Sequence, residues 1–214
     1  GGIKKDWVSG PHTLSEEDLE KNRFNLPKQI LENKLATDDF WTSRMPDFSK
    51  INVPLLSSAN WGGQGLHSRG NFDGFTRSAS KEKWLEVHGI EHWTEFYTDY
   101  GVNIQKQFFN YYLKEIDNGW QDRPKINLLT RYPNEIFKEN YYASWPLENT
   151  NWSKLYLNAQ NHSLSGIKAE DFKLKYKGFS DGITFLQDPT NEEVEITGPM
   201  SLKLFMSSDT EDAD

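Results

Sequence analysis

The residues best suited to chemistry lie together in Glu86-Val-His88-Gly-Ile-Glu91-His92-Trp93. An imidazole titrates near neutrality, so either histidine can take up a proton and return it, and a carboxylate beside it can orient the ring. His88 and His92 with Glu91 also suggest a metal site. Their spacing matches no zinc signature, however, and the segment reads as strand and loop rather than the helix that would align positions four apart. A single loop histidine, taken alone, is more often a hydrogen-bonded structural residue than a catalyst. The other candidate is Gly178-Phe-Ser180-Asp-Gly182, a literal G-x-S-x-G. A nucleophile elbow needs a buried strand before it and a helix after it. Here residues 173–177 are charged and 183–186 read as a strand, so the stretch is expected to be a hairpin turn and Ser180 not a nucleophile.

Composition removes whole classes of function. The 214 residues carry 24 Lys and Arg against 32 Asp and Glu, a net charge of -8, which offers no basic field to a phosphate backbone. No nucleic acid partner is expected. The chain has no cysteine, which excludes disulfides, zinc-thiolate sites and thiol nucleophiles, while five histidines remain for other work. Aromatic residues at 14% argue for a folded chain rather than a disordered one. Apolar runs such as residues 53–56 stop far short of the roughly 20 residues of a membrane helix, so no membrane partner is expected. The sequons at Asn151-Trp-Ser153 and Asn161-His-Ser163 are about as many as chance placement gives, and carry no weight.

The cluster needs elements to hold it. Ile51-Asn-Val-Pro-Leu-Leu-Ser-Ser-Ala-Asn60 reads as a strand buried on both faces of a parallel sheet, followed by the glycine-rich loop Trp61-Gly-Gly-Gln-Gly65. Residues 66–80 then read as helix, 83–88 as a short strand, and 102–116 as an amphipathic helix with apolar positions at 102, 104, 108, 109, 112, 113 and 116. Strand, helix, strand, helix implies an α/β layer, and the loop past a parallel strand's carboxyl end is where such sheets place reactive groups. Before this layer, residues 13–45 read as amphipathic helical segments divided by Pro27, with Ser15 as an N-cap ahead of Glu16, Glu17 and Asp18. After Gly119 the segments 125–131, 153–158, 170–177, 182–187 and 199–206 are short and alternating, which predicts a second, all-β unit from about residue 122. The opening residues, without Met or a secretion signal, suggest that the chain begins in mid-protein. The alternating stretch close before the acidic tail at 209–214 suggests a cut there too.

Several stretches go further than pattern. Asp39-Phe-Trp41, Pro46-Asp-Phe-Ser-Lys-Ile-Asn-Val-Pro54, Ala59-Asn-Trp-Gly-Gly-Gln-Gly-Leu-His67, Arg69-Gly-Asn-Phe-Asp-Gly-Phe75 and Glu86-Val-His-Gly-Ile-Glu-His-Trp93 resemble the X-prolyl dipeptidyl-peptidase and cocaine-esterase (CocE/NonD) type of serine hydrolase. Trp152-Ser-Lys-Leu-Tyr-Leu157 and Ile196-Thr-Gly-Pro-Met-Ser-Leu-Lys-Leu204 are similar to its C-terminal sandwich. The resemblance implies a helical cap or lid segment at 1–48, the C-terminal part of an α/β-hydrolase domain at 49–121, and a partial jelly-roll-like β-sandwich at 122–214. It implies a hydrolase of ester or amide bonds, Xaa-Pro dipeptidyl amides among the candidates, acting on a small-molecule acyl or peptide substrate through an acyl-enzyme and needing no metal or organic cofactor.

In the family pattern the catalytic histidine follows the last strand of the hydrolase sheet, a few residues after a glycine. Gly89-Ile-Glu-His92 fits, which makes His92 the expected general base and leaves His88 pointing inward from the strand. The serine precedes acid and histidine in chain order, so the nucleophile is expected upstream of this chain, and the 214 residues alone are expected to be inactive. The family's acid belongs to a Trp-x-Asp-Gly pattern, but the loop here reads Trp61-Gly-Gly-Gln-Gly65 and holds no carboxylate. Asp73 and Glu91 are the candidates to replace it, with another residue or a degenerate triad left open. The rival reading is a carbohydrate- or peptide-binding β-sandwich module without catalysis, open because eight Trp and nine Tyr supply stacking faces. The cytoplasm is the favoured compartment, and oligomeric state is not legible.

Overall fold

A computed structural model describes residues 14–62 and 67–210, so residue 13, most of the glycine-rich loop and the end of the acidic tail lie outside the described residues. The chain divides into two units, residues 1–47 and 48–214.

In the first unit, one helical stretch becomes three short helices: α1 (Glu16–Lys21), α2 (Leu26–Glu32) and α3 (Asp39–Thr42). Ser15 caps α1 as its type predicts, its Oγ accepting from the Asp18 N–H at 3.1 Å. Pro27 does not sit between helices; it stands in the first turn of α2, where its missing N–H costs no intrahelical bond. Trp41 ties the end of the unit to its middle by donating from Nε1 to the Asn33 carbonyl at 2.6 Å.

The second unit is organised by a four-stranded sheet of order β1-β2-β3-β4: β1 (Leu55–Asn60), β2 (Lys83–His88), β3 (Ile126–Tyr132) and β4 (Ile136–Tyr142). The first three strands run parallel, joined by helical crossovers, and β4 folds back antiparallel on β3. Alternation along β2 sorts its side chains to two faces. Leu85 and Val87 join Ala59, Ile126 and Leu128 under Phe75 of α4 (Arg69–Arg77). On the other face Trp84 packs with Ile104 and Phe108 of α6 (Asp99–Lys114) and with Trp120. A parallel strand covered on both faces should be apolar throughout. In β2 two buried positions break that rule, Glu86 and His88, both on the α6 face.

Residues 125–131, assigned on pattern to the all-β region, form instead the third strand of this parallel sheet. Gly119 and Pro124 mark a turn there, but Ile126 and Leu128 are almost fully buried on the α4 face, where their strand pairs with β2. Beyond β4, the described residues form one small hairpin, β5 (Tyr156–Asn158) with β6 (Ser163–Ser165), and Leu186 bridges to Ser163. The stretches 170–177 and 199–206 and the rest of 182–187 keep their alternating sequence without becoming strands. A strand is stabilised by its neighbours; here Phe172, Leu202 and Phe205 stay largely exposed and no ladder partner pairs with their backbones among the described residues. The Gly178–Gly182 stretch is a turn as expected, but with no paired strands to make it a hairpin.

A short helix, α5 (His92–Glu95), replaces the expected loop after β2, and α6 starts three residues earlier than its apolar periodicity. Thr98 caps α6, accepting from the Gly101 N–H at 3.0 Å. Gly101 is the contact between the two helices: a Cβ there would overlap the carbonyl oxygen of Glu95, a backbone atom that cannot swing away. At Gly74 in α4, by contrast, a Cβ meets open space. Thermal unfolding should therefore separate the two glycines. Gly101→Ala is expected to destabilise the chain by about 1–3 kcal/mol through forced separation of α5 and α6. Gly74→Ala should stabilise it by roughly 0.5–1 kcal/mol, the ordinary helix preference.

Candidate active site

The site is built where β1 and β2 end side by side. The two strands are in parallel register with Ser58 opposite Glu86 and Asn60 opposite His88. Past their ends the Trp61 N–H donates to the His88 carbonyl at 3.0 Å, clamping the two following loops together. Ser68 Oγ donates to the Asn60 carbonyl at 2.6 Å, which binds the start of α4 to the end of β1. Trp61 Nε1 donates to the Leu129 carbonyl at 2.6 Å and brings β3 into the same frame. The rim where α/β sheets present their reactive groups is thus fixed by backbone and tryptophan hydrogen bonds.

Three imidazoles meet on this rim. The His92 ring, partly buried at the start of α5, lies 5.2 Å from the ring of His88 and 5.2 Å from that of His67. His88 is buried and points inward from the strand. Its Nδ1 lies 3.0 Å from Glu86 Oε2, which also accepts from Ser58 Oγ at 2.5 Å. A buried carboxylate needs such donors, because removing its charge from water costs several kcal/mol. His88 Nε2 is buried with no hydrogen-bond partner among the described residues.

Beneath the rim runs a cleft of about 370 Å³ between the sheet and α6. Leu56, Phe96, Ile104, Phe108 and Phe109 make its walls apolar, while Ser58, Glu86, His88, His92 and Glu95 gather its polar side. The mixture suits a ligand with an apolar body and one polar reacting centre. Burial lowers the proton affinity of His92, and the neighbouring His88 and His67 lower it further; the Glu86 charge pulls the other way. The Glu95 carboxyl is pushed up by burial and by Glu86, against the effect of His88. Tyr100, on the same cleft, is raised above the ordinary tyrosine value, mainly by burial.

The two acids proposed from sequence are placed elsewhere. Asp73 lies on α4, half exposed, with Oδ2 3.9 Å from Arg69 Nε. Glu91 stands exposed at the N-cap of α5 and accepts from Thr94 Oγ1 at 3.3 Å. Neither shares a described hydrogen bond or ion pair with His92. Sequence reasoning missed Ser58, His67, Glu86 and Glu95. For Glu86 a signal existed: it is two residues before His88 on a strand, hence on the same face. Among the described residues no group of three or more His, Asp or Glu is placed to hold a metal ion. Ser180 is spent on its own turn, its Oγ donating to the Lys177 carbonyl at 2.6 Å and accepting from the Gly182 N–H.

Known proteins resemble this chain in two ways. Residues 118–214 match the X-Pro dipeptidyl-peptidase C-terminal non-catalytic domain. Two solved structures, each of a CocE/NonD family hydrolase from Staphylococcus aureus, match at 41% sequence identity with a TM-score of 0.64. They cover 68% and 67% of this chain and 26% of their own, so the chain spans about a quarter of the length of the structures it matches. No curated protein sequence matches.

The electrostatics of His92 have a measurable sign. Its folded-state pKa lies below the ordinary 6.5, so as pH falls through about 6.5 the unfolded chain takes the proton first and stability drops. An NMR titration should place the His92 midpoint below 6.5, and His67→Asn should raise it by removing one neighbour that lowers it. A midpoint at or above 6.5 in the native chain would contradict the packing described.

Proposed function

We propose that this chain, which belongs to the X-Pro dipeptidyl-peptidase and CocE/NonD hydrolase family, supplies the general base of a serine hydrolase that cleaves acyl bonds, ester or amide. The observation that carries the reading is His92, half-buried at the carboxyl end of a parallel strand, over an apolar cleft and beside a buried Glu86–His88 pair. In this reading the nucleophilic serine lies outside these 214 residues, and residues 1–48 are a helical cap segment.

The chemistry follows from the state of the ring. Burial and two neighbouring imidazoles favour the neutral form of His92, the form that can accept a proton. A seryl hydroxyl gives its proton to His92 as its oxygen attacks the acyl carbon. The imidazolium then returns the proton to the leaving alcohol or amine, and the acyl group remains on the serine. Water repeats the cycle against the acyl-enzyme and releases the acid. The apolar walls of the cleft suit the acyl portion of the substrate, with the scissile carbonyl at the polar rim. None of these steps requires a metal or an organic cofactor.

Two experiments bear on this. The 214-residue chain should show no turnover of a p-nitrophenyl ester and no labelling by a fluorophosphonate, while a full-length protein carrying it should react with the probe. In that protein His92→Gln should lower kcat by on the order of 10³-fold or more, the scale for loss of a triad member. Covalent labelling of Ser180 in the isolated chain, or full activity of His92→Gln, would contradict the reading.

A further inference from the structure

We infer that Glu86, held against His88, is the carboxylate whose charge balances His92, in the place a triad acid would take. The inference rests on His92 being the base and names the group that serves it.

Glu86 lies in the strand rather than in a loop, and is 4% exposed. Ser58 Oγ and His88 Nδ1 both meet its Oε2, at 2.5 and 3.0 Å. A carboxylate accepts, so the hydrogen between it and His88 belongs to Nδ1, and in the neutral ring the lone pair falls on Nε2. That Nε2 is the buried atom without a partner, and its ring lies 5.2 Å from the ring of His92 along the same cleft. When His92 becomes an imidazolium, it stands edge to face, at 5.2 Å, with a ring whose Nδ1 is anchored to a negative charge. Ser58, on the neighbouring strand, holds the carboxylate in one orientation, so the pair is ready before substrate arrives.

The other carboxylates fit the role less well. Asp73 is half exposed beside Arg69, and Glu91 is exposed and accepts from Thr94. Glu95 lines the cleft, but burial favours its neutral form. Glu86 is the carboxylate whose charge opposes the burial of His92 and the repulsion of its two imidazole neighbours. This is a positioning role, since Glu86 reaches the base through another ring.

The test is read on the 214-residue chain, which needs no nucleophile: imidazole nitrogen shifts of His67, His88 and His92 followed by NMR against pH. The groups facing His92 are His67 from the residue before Ser68, Glu86 and His88 from β2, and Glu95 from its own helix, and all enter the fit. In the native chain the His88 hydrogen that faces Glu86 should sit on Nδ1. Glu86→Gln should weaken that tautomer bias and lower the His92 midpoint, while Asp73→Asn and Glu91→Gln leave the midpoint in place. An Nε2–H tautomer for His88, or a Glu86→Gln chain with native amide shifts and an unmoved His92 midpoint, would overturn the inference. If Glu86→Gln does not fold, Glu86→Asp carries the same reading: the shorter carboxylate should move the midpoint in the same direction, and an unmoved one overturns it. In a full-length protein Glu86→Gln should cost about 10–100-fold in kcat, as loss of an outer-shell partner does, with partial recovery in Glu86→Asp. Activity that does not depend on His92 would sink the assignment of the base and leave the titration standing; a failed titration would sink only the role of Glu86.

Discussion

A carboxylate and an imidazole buried side by side in the middle of a parallel sheet constrain everything around them. Glu86 and His88 occupy positions where a strand covered on both faces would carry valine or isoleucine, and burying the charge is tolerable only with donors in place. The donors come from one register alone. Slipping β2 by one residue would turn Glu86 and His88 toward Phe75 and Leu128 and bring Leu85 and Val87 to the cleft. The hydrogen bond of Ser58 to Glu86 therefore specifies the register as much as it satisfies a charge, and the position of His92, four residues beyond His88, follows from it. The Trp61 and Ser68 hydrogen bonds at the strand ends limit where α5 can begin.

The matched non-catalytic domain is not separate from this frame. Its first strand, β3, lies inside the residues that match and is also the third strand of the parallel sheet, with Ile126 beside Leu85 and Leu128 beside Val87. It receives the Trp61 indole as well. Residues classed as non-catalytic thus flank β2, the strand that leads into the candidate base, and hold its far edge. Further along, the chain keeps strand-like alternation with large apolar side chains exposed, as at Met200, Leu202 and Phe205. Among the described residues no helix is long and apolar enough to cross a membrane.

The sequence made some layers legible and hid others for physical reasons. The β1 and β2 runs, α4 and the long helix α6 were readable because burial imposes a period on their residues. The Glu86–His92 segment stands out in the sequence because its imidazoles and carboxylates gather just past a strand, where open α/β sheets place reactive groups. Residues 125–131 lie within the matched C-terminal domain and yet pair with the parallel sheet, because which sheet a strand joins depends on a partner 41 positions away, which local pattern does not encode. The unpaired stretches after residue 165 were overread for the same reason: alternation says that a backbone could pair, and only a neighbour makes it do so. Ser58 and His67 reach the site through register and a loop anchor, and their sequence neighbourhoods carry no mark of it. Glu86 is marked in the sequence only by the period-two rule of a strand, which places it on the face of His88.

The most direct measurement is a crystal structure of a full-length protein bearing this chain, with a phosphonate covalently attached to its nucleophile. The account requires a His92 ring nitrogen within about 2.6–3.2 Å of the phosphonylated seryl oxygen or of the phosphonate oxygen in the leaving-group position, with His88 and Glu86 behind it. A structure in which His67 or another imidazole occupies that position, while the His92 ring faces away from the cleft, would contradict it.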